Sequence, residues 1–168
     1  MGTLERLLTT RLRVGELFAG KFLAYLARGF IQTLVLLGLA YAVFRIFTPV
    51  SFLEALAVAF IFAAVCSAIG LIIASVSRTQ GQATWISVFF TMLMVMLSGT
   101  FVPVTPGTLF GTLSHLSINT YANNAFRALI SLNHSLADVK TDLYVMAGIA
   151  VAGIIVSRLL FRATQEGK

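Results

Sequence analysis

The chain has 168 residues, of which 58% are apolar and 11% charged, and its mean hydropathy is +0.94. Soluble domains carry about 25% charged residues, so this composition excludes a water-soluble body and predicts an all-α, polytopic membrane helix bundle. The net charge of +6 does not indicate nucleic acid, because the basic residues flank apolar runs instead of forming a patch, and the one cysteine, Cys66, excludes an intrachain disulfide or cysteine metal site.

The opening stretch, Gly2 to Lys21, is the only part where charge is dense and apolar residues keep a helical spacing. Leu4, Leu7, Leu8 and Leu12 share one face, Thr3 is placed to cap the helix, and Glu5 suits the positive end of its dipole. Arg11 and Arg13 lie towards the opposite end. The spacing therefore predicts an amphipathic helix over residues 2–13, lying near a membrane surface. No compact apolar core with a cleavage site follows Met1, so no signal peptide is expected. A helix cap this early reads like a segment cut from a longer chain.

Four transmembrane helices are expected at residues 19–44, 54–77, 84–102 and 143–161. In the first, Lys21, Tyr25, Arg28 and Gln32 form one polar stripe, either with the cations reaching back to the surface or with Arg28 and Gln32 facing other helices or a pathway. In the second, Ala59, Ala63, Ser67, Gly70 and Ala74 recur at helical spacing, which favours close helix packing. Trp85 is an interfacial anchor for the third. Residues 103–130 combine glycine and proline with leucine and phenylalanine, which predicts a re-entrant or interfacial element. Its end, with Asn119, Tyr121, Asn123, Asn124 and Arg127, reads as a polar helical patch.

With four spans both ends share one side, and that side carries Arg6, Arg11, Arg13, Lys21, Arg28, Arg78, Arg158, Arg162 and Lys168. Opposite them stand Arg45, Arg127 and Lys140. This excess of Lys and Arg predicts cytoplasmic termini and puts the re-entrant element at the outer face.

Catalytic patterns are missing from the sequence. It contains no GxxxxGK[ST] and no GxGxxG after a strand, and His115 and His134 have no carboxylate or cysteine at ligand spacing, so no metal site is expected. A serine protease centred on Ser98 fails because Met96 stands where a glycine is needed and no histidine lies in a later span. Asp138 and Asp142 share a helical face but read as solvated loop residues.

The opening residues Gly2, Thr3, Leu4, Glu5, Leu7, Thr10, Leu12, Glu16, Leu17, Gly20 and Lys21 resemble the cytoplasmic segment of the ABC transporter type-2 permease family, with Arg11 in place of its usual proline. Three later stretches are similar to the same family in the same order: Gly70 to Gln80, Leu97 to Pro103, and Asn119 to Arg127, the last with Thr120 for a proline. The resemblance implies a permease subunit of an exporter with six spans per subunit, so that these residues would be the last four spans and two would be missing. It implies no catalysis or cofactor in this chain, with ATP and magnesium held by a separate ATP-binding cassette subunit, and a homodimer or heterodimer of permeases in the lipid bilayer. Residues Thr3, Leu4, Glu5, Arg6, Leu7 and Leu8 would couple to that ATPase, Leu4, Leu7 and Leu8 filling a groove and Glu5, Arg6 and Arg11 at its rim setting register. Arg28 and Gln32 would line the pathway, and Asn119, Tyr121, Asn123 and Arg127 would support an outer gate. The opposing expectations are a helix lying flat on lipid, a non-transporting scaffold or truncated permease fragment, and, least supported, an intramembrane enzyme.

Overall fold

The computed structural model describes residues 14–44, 48–99, 109–115, 117–131 and 138–166. Six helices run through them: α1 Val14–Phe44, α2 Pro49–Val76, α3 Gln80–Leu97, α4 Leu109–Ser114, α5 Ile118–Ser131 and α6 Lys140–Glu166. Among the described residues there is no strand. Four helices, α1, α2, α3 and α6, are long and apolar enough to cross a membrane. The chain is an all-α, multi-pass membrane bundle. The amphipathic segment 2–13 and residues 103–108 of the glycine- and proline-rich stretch lie outside the described residues.

Local signals set the helix ends. Thr48 caps α2 by accepting from the Ser51 amide at 3.2 Å, and Pro49 follows at the first helical turn, where its missing N–H loses no bond. The helix therefore starts five residues ahead of the expected 54, and Glu54 lies inside it. Thr79 caps α3 in the same way through the Gln82 amide, so that helix begins at Gln80 and not at 84. It ends at Leu97, short of the expected 102, because Gly99 turns the chain with φ 71, a left-handed conformation open to glycine. α1 starts at Val14, ahead of the expected 19, without a break before Lys21. α6 extends both ways beyond the expected 143–161.

The bundle is built around α2, which packs on α1, α3, α5 and α6. Its buried residues include Ala55, Ala59, Ala63 and Ser67, a repeat of four that keeps the contact face narrow, while Gly70 and Ala74 at the end of the expected stripe are exposed. With no hydrophobic drive between helices in lipid, such small residues let backbones approach and gain dispersion contact. Against α6 the approach is close at Gly153, where an added Cβ would stand 3.1 Å from that of Ala68. Against α1, the equivalent distance from Gly29 to Ala63 is 3.8 Å.

Two buried clusters mark opposite ends. At one, Phe18 of α1 and Leu71 of α2 meet Ile154 of α6. At the other, Val58 of α2 meets Ala122, Ala125 and Leu129 of α5, with Val139 and Met146 beside and on α6. Since Val58 and Met146 share one end and Leu71 and Ile154 the other, α2 and α6 run parallel. α1 runs against α2, with Phe30 edge-on to Phe60 at 5.4 Å and Tyr41 beside Phe52 at 5.3 Å.

Candidate functional site

An open cleft of about 460 Å³ lies along the contact between α1 and α2. From α1, one helical stripe of Tyr25, Arg28, Gln32 and Leu36 lines it, with Gly29 and Thr33 beside them. From α2 come Phe62, Ala63, Cys66, Ser67 and Gly70, a face of small side chains at i, i+3, i+4 and i+7 rimmed by one ring. The space exists because of those small residues: nothing stands within 4 Å of a Cβ built at Gly70. Tyr25, Arg28, Gln32, Leu36 and Cys66 are all exposed, so the cleft opens to the surface of the bundle.

The threonine and serine hydroxyls in the cleft are already committed. Thr33 donates to the Gly29 carbonyl at 2.9 Å and Ser67 to the Ala63 carbonyl at 2.7 Å, the way hydroxyls are accommodated inside a membrane helix. Tyr25, Arg28 and Gln32 make no hydrogen bond or ion pair among the described residues. Among the described residues the cleft lining holds one charge, the Arg28 guanidinium, and no carboxylate. Its chemistry is that of an apolar slot with three free donors along one wall.

Arg28 and Gln32 are therefore together in one site. Asn119, Tyr121, Asn123 and Arg127 stand apart from it on α5. Asn119, Asn123 and Arg127 form one stripe at i, i+4 and i+8, with Arg127 exposed and the two amides half-buried. Tyr121 leaves that stripe, packs against the α2–α5–α6 cluster, and donates its hydroxyl to the His115 carbonyl at 2.9 Å. Thr120 donates to the Ser114 carbonyl at 2.7 Å, and Ser117, fully buried, donates to the Met94 carbonyl on α3 at 2.8 Å. The first ties α5 to the end of α4, and the second fastens its start over the end of α3. Ser98, weighed from sequence as a nucleophile, is buried and donates to the Val95 carbonyl at 2.8 Å, which is a capping role. Among the described residues no three His, Cys, Asp or Glu side chains come together. The coupling set Thr3, Leu4, Glu5, Arg6, Leu7 and Leu8 lies outside the described residues.

Sequence reasoning passed over Cys66 and Thr33, and read Ser67 and Gly70 only as packing positions. The signal that locates them is the pairing of two stripes: a polar one on α1 and a small one on α2, which an antiparallel neighbour brings face to face.

The ABC-2 type transporter family profile matches residues 1–130, more than half of the chain. The chain belongs to the ABC-2 type transporter family. No curated protein and no solved structure matches it. The ABC-2 match covers both walls of the cleft, all of α3 and α4, and α5 as far as Ile130. The cleft is thus a feature of a membrane component of a transport system.

Proposed function

We propose that this ABC-2 protein is the permease subunit of an exporter, moving a substrate across the cell membrane with ATP hydrolysed by a separate ATP-binding cassette subunit and performing no catalysis of its own. ATP and magnesium belong to that partner. The observation that carries the reading is the polar wall of Tyr25, Arg28 and Gln32 along a membrane-length helix, in a chain matched by the ABC-2 family over residues 1–130. An ionisable side chain within a span is expensive unless it serves a pathway or a partner, with about 2.5–3.5 kcal/mol for an arginine near the middle of an inserted helix. Arg28 and Gln32 belong to the inner wall of that pathway, formed between two permease copies. Asn119, Tyr121, Asn123 and Arg127 support a gate at the outer face, and both termini are cytoplasmic.

Coupling falls to residues 2–13. Leu4, Leu7 and Leu8 seat in a groove of the ATPase, while Thr3, Glu5 and Arg6 fix the helix and its register. Co-purification with the ATPase subunit tests this. Glu5→Arg is expected to reduce recovery of the partner by about tenfold or more, the scale of a charge reversal at a small interface. Recovery unchanged by both that substitution and deletion of residues 2–13 overturns the coupling assignment.

A further inference from the structure

The geometry points to an anion-selective cleft between α1 and α2 that takes the negatively charged head of an amphiphile, Arg28 meeting the head and Phe62 and Leu36 the apolar portion. As a substrate class it rests on the permease reading, but the site itself is defined by this chain's own residues.

Four observations lead to it. Among the described residues the only charge in the lining is positive, and no carboxylate lines it. Arg28 has no partner among the described residues, and Tyr25 and Gln32 on the same stripe are likewise free to donate. The remaining hydroxyls, Thr33 and Ser67, are spent on backbone carbonyls, so they do not compete for the guanidinium or the ligand. The volume, about 460 Å³, lies in the range of small-molecule sites, roughly 300–1,000 Å³. A guanidinium in a membrane-length helix is stabilised most by a planar or tetrahedral anion that it can grip with two N–H groups, such as a carboxylate or phosphate. A cationic or purely apolar ligand gains nothing from Arg28 and leaves it desolvated. The open side and the ring of Phe62 then favour a ligand whose body remains in the apolar layer.

The chain supplies its own reporter, because Cys66, its single cysteine, lines the same cleft and is exposed. The full chain in phosphatidylcholine nanodiscs is labelled with N-ethylmaleimide, with dodecyl phosphate or dodecyltrimethylammonium added. Dodecyl phosphate is expected to slow Cys66 labelling by about tenfold, the scale of one charge-assisted contact, and the ammonium compound to leave it unchanged. Arg28→Gln should abolish this protection and Arg28→Lys should keep part of it. Gly70→Leu, which fills the cleft from the opposite wall, should slow labelling with no amphiphile present. Equal protection by both amphiphiles, or undiminished protection in Arg28→Gln, overturns the proposal. Discs containing phosphatidylglycerol separate the two sources of such a head. If that lipid slows labelling and dodecyl phosphate adds nothing, the occupant is a lipid headgroup; protection in pure phosphatidylcholine marks a diffusible amphiphile. Protection that persists while the chain, given its ATPase, moves no dodecyl phosphate out of vesicles counts against the permease reading and leaves the anion site standing.

Discussion

Gly153 shows how little space separates α2 and α6 where they touch. A methyl group there would meet the Ala68 methyl at 3.1 Å, tighter than ordinary contact, and both atoms belong to rigid helical backbones with no long side chain to swing aside. A leucine at 153 must push α2 and α6 apart, and overpacking of this kind typically destabilises by about 1–3 kcal/mol. Gly153→Leu is expected to lower the thermal midpoint in detergent, and Ala68→Gly in the same chain to restore part of the loss. Gly148, on the same helix, has nothing within 4 Å of its built Cβ. Gly148→Leu should therefore leave the midpoint close to that of the parent. Equal losses at 148 and 153 would mean that the bulk of the added side chain, and not the α2–α6 contact, sets the response, since leucine has the higher helix propensity and by itself would raise the midpoint. The periodicity of small residues on α6 did not separate these two positions in the sequence, because Ala147, Gly148, Ala152 and Gly153 all look alike until the facing helix is known.

At the scale of elements, what was legible in the sequence and what was not divides by the range of the signal. The four apolar runs were legible because length and composition decide them without any partner. The starts of α2 and α3 are written locally as well, in Thr48–Pro49 and in Thr79 with the Gln82 amide, but they lie outside the apolar runs, so hydropathy alone places the starts too late. The polar stripe of Lys21, Tyr25, Arg28 and Gln32 was visible, but its facing wall on α2 was not, since only tertiary pairing brings the two together. The junction between α3 and α5 was beyond reach for the same reason: Ser117 and Met94 are 23 residues apart. That junction carries a prediction. Ser117 is fully buried and its hydroxyl donates to the Met94 carbonyl near the end of α3, which also accepts from the Ser98 amide, so the bond ties two segments at a helix end. Ser117→Ala should destabilise the fold by about 1 kcal/mol and speed hydrogen exchange at the first turn of α5. Exchange that is faster everywhere to the same degree would indicate global loss with no local tie.

For the whole molecule, the parallel run of α2 and α6 constrains topology more than any single span. After α2 the chain turns at Arg78 and Thr79, α3 carries it back to the Val58 end, and α4 and α5 stay with that end, because α5 packs on Val58 and Met146. α6 then returns it to the end where Phe18 and Leu71 meet Ile154. Lys21, Arg78 and Arg158 lie in the half of the bundle nearer that end, and Arg127 and Lys140 nearer the other. Lys and Arg are retained on the cytoplasmic side during insertion, so the fold and the charge distribution together predict that the α2–α3 turn faces the cytoplasm and the start of α6 faces out. Gly81 and Asp138 report on the two ends, both being exposed, with open space around Gly81. In a Cys66→Ala background, a membrane-impermeant maleimide added to intact cells should label Asp138→Cys and not Gly81→Cys, and permeabilised cells should label both. The reverse pattern would place α5, with Asn123 and Arg127, on the cytoplasmic side and remove the outer gate assigned to it. Labelling of both sites in intact cells would require α3 not to span the membrane. Of the four long helices α3 most needs this check, since none of its residues is buried and its 18 residues, at about 1.5 Å each, fall just short of a hydrocarbon core of about 30 Å.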